Sequence, residues 1–172
     1  MKRAVFLIEQ ITDLNNLYEA FYKAQKGKKE KQEVVEYKKD LYENLKQLQR
    51  QIQTGNLDIG NYHYFTIYEP KERLICAASF PERVLHHSLM NVCHKYFENQ
   101  QISESYATRI GKGTYKAIEK ARFYSKQYKY YLKLDIRKYF DSISHQILMQ
   151  KLETIFKDKM LLYVFYQIID SY

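Results

Sequence analysis

The spacing of apolar positions sets out most of the elements. Leu7, Ile11, Leu14, Tyr18 and Phe21 recur at alternating steps of four and three, which predicts one face of a helix, with Gly27 as its stop. A second helical pattern runs through Val34, Leu41, Leu45, Leu48 and Ile52 to Gly55. Its other face, with Glu36, Lys38, Lys39, Glu43, Lys46 and Arg50, reads as solvated. After a loop over 55–60, residues 62–69 are dense in Tyr, Phe, Thr and Ile, the composition of a strand. Pro70-Lys71-Glu72 is a turn and 73–78 the return strand, so a β-hairpin is expected. Ser79 and Glu82 have capping-box spacing with Pro81 in the first turn, and Leu85, Leu89, Val92 and Tyr96 continue that helix as a buried stripe. A polar loop leads to a helix through Ala117, Ile118, Ala121 and Tyr124. The apolar run over 130–135 predicts a strand ending in a carboxylate, Asp135. Ser144 then opens a helix through Ile147, Leu148 and Leu152, and a last helix uses Leu161, Leu162, Phe165 and Ile168. The fold class expected is α+β, mostly helical.

Composition adds a partner to this outline. The 172 residues suffice for one domain with a core. The net charge of +8, from 28 Lys+Arg against 20 Asp+Glu, fits an anionic partner, most simply nucleic acid; a merely soluble basic protein is the plain alternative. Aromatics are 16% of the chain, with 18 Tyr and no Trp, and a Tyr beside a Lys can pack in a core or stack on a base. Cys76 and Cys93 lack metal-type spacing, which predicts buried, reduced thiols in a reducing, cytoplasmic setting. The start, Met1-Lys2-Arg3 and then an apolar run to Ile8, is too short for a signal peptide or a span, so no membrane is expected.

Several residues are candidates for chemistry. Lys28 and Lys29 beside Gly27 are either cations suited to a helix C-terminus or a phosphate-contacting corner. Gly111-Lys112-Gly113 feeds a helix N-terminus and can approach a phosphate, but it lacks the spacing of a Walker A loop. His86 and His87 are adjacent, so they point to different sides of a helix and do not share a metal. Asp135, at the end of a strand, sits where a metal ligand is held rigidly, although many strand-end aspartates only cap a turn.

Three segments, in order, resemble the N-terminal half of reverse transcriptases. They are Tyr64-Phe65 through Glu69-Pro70-Lys71-Glu72-Arg73-Leu74-Ile75 with Pro81-Glu82-Arg83-Val84-Leu85-His86-His87; Ser105-Tyr106-Ala107-Thr108-Arg109-Ile110-Gly111-Lys112-Gly113; and Leu132-Lys133-Leu134-Asp135-Ile136-Arg137-Lys138-Tyr139-Phe140-Asp141-Ser142-Ile143. Their wording is similar to bacterial retroelement enzymes, most of all the diversity-generating type, with group II intron and retron enzymes as near relatives. The resemblance implies one partial right-hand polymerase domain over 1–172. Residues 1–60 would be N-terminal helices, 61–127 the fingers with the hairpin, and 128–172 the start of the palm with its strand. It implies an RNA-directed DNA polymerase that extends a DNA primer on an RNA template by two-metal transfer from dNTPs.

Residue by residue, the resemblance assigns Asp135 and the Ile136 carbonyl to Mg²⁺. Phe140 becomes the aromatic that blocks a ribose 2′-hydroxyl, and the backbone of Lys138 and Tyr139 meets the triphosphate. Arg73, helped by Lys71, faces the triphosphate; Arg109 and Lys112 track the template. The family also has a Tyr-x-Asp-Asp hairpin and a thumb, and this sequence contains no Asp-Asp pair. The chain is therefore expected not to polymerise alone, to leave its 130–135 strand with few partners, and to belong with a further C-terminal half or an accessory protein. The alternative is a non-catalytic remnant that binds RNA.

Overall fold

The computed structural model describes residues 4–172; the basic pair Lys2-Arg3 lies outside them. Among the described residues the chain is mixed, with eight α-helices and one small antiparallel sheet. The helices are α1 (Ile8–Thr12), α2 (Leu14–Ala24), α3 (Gln32–Lys39), α4 (Leu41–Thr54), α5 (Phe80–Glu98), α6 (Thr114–Ser125), α7 (His145–Ile155) and α8 (Lys159–Asp170). The strands are β1 (His63–Ile67) and β2 (Arg73–Ala77). None of the described helices is long and apolar enough to cross a membrane. The chain forms two compact units, one reaching His94 and completed by His145–Tyr172, the other Lys95–Ser144.

The first unit holds the core. Leu7, Ile11, Leu17, Phe21, Leu45, Ile52, Phe80, Leu85, Phe156 and Leu161 are all essentially inaccessible. Each N-terminal helical pattern is split by an aspartate. Asp13 takes extended angles and accepts from the Asn15 N–H at 2.9 Å, capping α2. Asp40 leaves the helical region between α3 and α4. Phe21, Tyr37 and Phe80 join α2, α3 and α5 through ring contacts of 5.2–6.0 Å, and burial pushes the Tyr37 phenol up to about 12. At the other end, Ala4 and Phe156 form a parallel bridge. Asp158 accepts from the N–H groups of Leu7 (2.9 Å), Ile8 (3.1 Å) and Leu161 (3.2 Å), so one carboxylate serves the starts of α1 and α8. Gly55 closes α4 at φ +71°, and Gln167 Nε2 donates to its carbonyl at 2.8 Å.

The expected hairpin forms, in register from His63↔Ala77 to Ile67↔Arg73. Its root is clamped by Glu82. This carboxylate is 1% exposed and accepts from Gly60 N (2.8 Å) ahead of β1 and from Ser79 N (3.2 Å) and Ser79 Oγ (2.9 Å) after β2. The capping box therefore also fixes where the hairpin stands on α5. Neither cysteine is in a disulfide among the described residues; Cys93 is buried and Cys76 half-buried.

The second unit departs from expectation. None of the described residues from 95 to 144 is buried, although Ala117, Ile118, Ala121 and Tyr124 have the spacing of a core face. The strand expected over 130–135 is not one. Residues 130–136 carry no regular structure, and Leu132 and Leu134 are 82% and 80% exposed. A strand needs a neighbour for its N–H and C=O groups, and no described segment pairs with this one.

Candidate nucleic-acid interface

Charge is not spread evenly. Residues 95–144 carry eleven Lys+Arg against five Asp+Glu, a net +6 of the chain's +8. Single unpaired cations on a surface attract phosphate without sequence preference, and exposed rings beside them can take base faces.

Two loops of this unit position the side chains that the sequence singles out. The first runs from the end of α5 to α6. Arg109 is half-buried on it and paired rather than free. Its Nε donates to Glu98 Oε1 at 2.6 Å and its Nη1 to the Ile102 carbonyl at 2.9 Å, so the guanidinium ties the loop to α5. Lys112 donates to the Ser103 carbonyl and stands 5.5 Å from the Tyr106 ring centre. Gly113, at φ +94°, precedes α6, where a Cβ would meet nothing within 4 Å. Tyr106 donates to Glu104 at 2.7 Å, and that bond pushes the phenol up to about 12. The same phenol, then the ammonium of Lys120, holds Glu104 below the usual carboxylate range, while Glu104 raises Lys120.

The second is the stretch from Asp135 to Ile143. Asp135 is exposed and makes no hydrogen bond or ion pair among the described residues. Ile136 follows, 64% exposed. Lys138 has φ +51° and Tyr139 has helical angles (φ −49°, ψ −53°). A residue at positive φ followed by a helical one is the kind of alternation from which anion-binding nests are built. The turn is closed by Ser142 N to the Lys138 carbonyl (3.0 Å), Ser142 Oγ to the Tyr139 carbonyl (2.9 Å) and Ile143 N to the Phe140 carbonyl (3.2 Å). Phe140, in the 3-10 turn Phe140–Ser142, is 75% exposed and meets Tyr139 edge-on at 5.3 Å.

The second unit thus gathers Arg109, Lys112, Asp135, Ile136, Lys138, Tyr139 and Phe140. Lys28, Lys29, Lys71 and Arg73 belong to the first. Lys28 and Lys29 line a shallow recess in the turn after α2, held by Lys28 N to the Gln25 carbonyl at 2.9 Å. Lys71 and Arg73 are exposed at the hairpin tip.

No group of three or more His, Cys, Asp or Glu able to hold a metal occurs among the described residues. Asp135 has an uncommitted carboxylate and Ile136 a neighbouring carbonyl, two hard oxygen donors. That set suits part of a Mg²⁺ shell, since this ion is commonly held by one or two carboxylates together with water and substrate phosphates.

Sequence reasoning gave no role to Lys120, Phe123 or Tyr128. Lys120 Nζ stands 5.4 Å from the Phe123 ring and 5.0 Å from the Tyr124 ring, and Tyr124 and Tyr128 are 6.1 Å apart. The signal was available: cations and aromatics alternate through this segment without an acid. No protein-family model matches the chain, and no curated protein matches it either.

Proposed function

We propose that this chain supplies the fingers and first palm segment of an RNA-directed DNA polymerase, working on an RNA template, a DNA primer and dNTPs. What supports the reading above all is the setting of Asp135 to Phe140. An uncommitted carboxylate, a left-handed residue three places on and an exposed ring five places on lie in the unit that carries most of the net charge.

In this reading Asp135 and the Ile136 carbonyl hold Mg²⁺, which when bound offsets phosphate charge and activates the attacking 3′-hydroxyl. The N–H groups of Lys138 and Tyr139 bind the triphosphate, and Arg73 with Lys71 answers its remaining charge. Phe140 discriminates by exclusion, because a 2′-hydroxyl set against its ring loses water and gains no hydrogen-bond partner. Arg109 shapes the loop that presents Lys112, and Lys112, Lys28 and Lys29 contact backbone phosphates. The paired aspartates of the family come from outside these 172 residues, from a partner or further chain, so the chain alone does not extend a primer.

A second reading, a non-catalytic RNA-binding module, is favoured by the absence of an Asp-Asp pair. Titration of a fluorescent dNTP into the chain, with and without Mg²⁺, separates the two. The polymerase reading expects Mg²⁺-dependent binding that Asp135→Asn abolishes. The module reading expects RNA binding and no Mg²⁺-dependent dNTP binding by the unaltered chain.

A further inference from the structure

Residues 120–134 contain five Lys+Arg and five aromatics and not one Asp or Glu. From 121 onward every one of them is exposed. The segment leaves α6, turns through bonds from the Gln127 and Tyr128 N–H groups to the Tyr124 carbonyl at 2.9 and 3.0 Å, and then runs without regular structure. Three of its rings form a connected series: Phe123 and Tyr124 are 5.4 Å apart at 64°, and Tyr124 and Tyr128 are 6.1 Å apart at 47°. They are 52%, 40% and 65% exposed, so each keeps a face or an edge open to solvent. Arg122, Lys126 and Lys129 flank them with no acidic partner among the described residues. Lys120 lies over the first two rings and also lines a shallow recess of about 460 Å³ with Lys112, Lys116 and Tyr106. The acid lining that recess is Glu119, 3.2 Å from Lys116, and Glu104 pairs with Lys120 at 3.5 Å.

We infer that 120–134 is a platform for single-stranded nucleic acid, with bases stacking on Phe123, Tyr124 and Tyr128 and phosphates meeting the interleaved cations. The inference rests on the reading of this unit as a nucleic-acid interface and gives it a preferred ligand form. Only unpaired bases offer their faces to a ring, so a duplex cannot use the series. A protein covering the same rings would have to neutralise five cations as well, whereas a nucleic-acid strand brings base faces and negative charge together.

The test is fluorescence anisotropy of a labelled 15-nucleotide RNA and of the matching duplex, with the full chain in EDTA at two salt concentrations. The single strand binds more tightly than the duplex. Tyr124→Ala weakens it roughly 5- to 150-fold, whereas Tyr124→Phe restores binding. Lys126→Ala with Lys129→Ala lowers the slope of log affinity against log salt by about 1.4. All variants melt at the wild-type temperature because the side chains are exposed.

Equal affinity for strand and duplex overturns the platform. So does unchanged strand binding in a folded Phe123→Ala, Tyr124→Ala, Tyr128→Ala variant. A loss of self-association with RNA binding intact also overturns it and marks a protein interface. EDTA removes Mg²⁺ from this assay and dNTP binding needs no RNA, so the platform and the polymerase reading fail separately.

Discussion

Replacing Glu82 tests whether the hairpin is fixed by one buried carboxylate. Glu82→Ala removes an acceptor from two backbone N–H groups, Gly60 at 2.8 Å and Ser79 at 3.2 Å, and from the Ser79 hydroxyl at 2.9 Å. A buried donor left without a partner costs about 1–3 kcal/mol, and loss of the capping contact about 1 kcal/mol more. Water reaching the vacated space offsets part of this, so the expected loss is about 3–5 kcal/mol. Against a typical domain stability of about 5–15 kcal/mol this is a large fraction. Glu82→Gln keeps the shape but points an amide NH₂ at one of the donors, for an expected loss of about 2–3 kcal/mol. Urea unfolding followed by circular dichroism measures both. Hydrogen exchange should show the amides of β1 and β2 opening faster, because the clamp holds both ends of the hairpin. A loss below about 1 kcal/mol in Glu82→Ala, or a Glu82→Gln protein as stable as wild type, would refute the clamp.

Burial holds the His86 imidazole below the usual histidine range; Glu82 opposes that shift and His87 adds to it. Its Nε2 is buried without a partner among the described residues. The unfolded chain therefore takes up a proton that the folded one refuses, and stability is lost as pH falls below about 6.5. Thermal melts from pH 7.5 to 5.5 should show this fall, and His86→Leu should lessen it. A residual slope remains from His87, which burial, Lys23 and Arg83 shift the same way. Gly55→Ala places a Cβ 2.8 Å from a Tyr163 ring carbon at φ +71° and should lower stability by about 2–3 kcal/mol. Gly27→Ala, at φ +72° with open space around it, should cost only about 1 kcal/mol in the same urea assay. Arg109→Lys cannot reach both Glu98 and the Ile102 carbonyl, so exchange across 99–113 should quicken while α4 is unaffected.

What the sequence disclosed depended on how far apart the interacting groups lie. The hairpin and the Ser79–Glu82 box are local, and composition and spacing identified both. The bond from Glu82 to Gly60 spans 22 residues and leaves no periodic trace. The split at Asp13 was hidden because the apolar spacing from Leu7 to Phe21 continues across it. The run over 130–135 has the side chains of a strand, but being a strand also requires a partner, and composition does not supply one. For the candidate site, the roles of Asp135 and Phe140 come from the resemblance alone, and the structure adds that both are exposed, whereas the pairing of Arg109 with Glu98 left no signal in the sequence.

Asp158 reaches back 151 residues to the Leu7 N–H. A ribosome adding about 5–20 residues per second makes the two ends of that contact roughly 8–30 seconds apart. Throughout that interval the first N–H groups of α1 lack their acceptor and Ala4 lacks its bridge to Phe156. The start of α1 thus stays open until 156–161 is made, and Asp158 acts as a late latch.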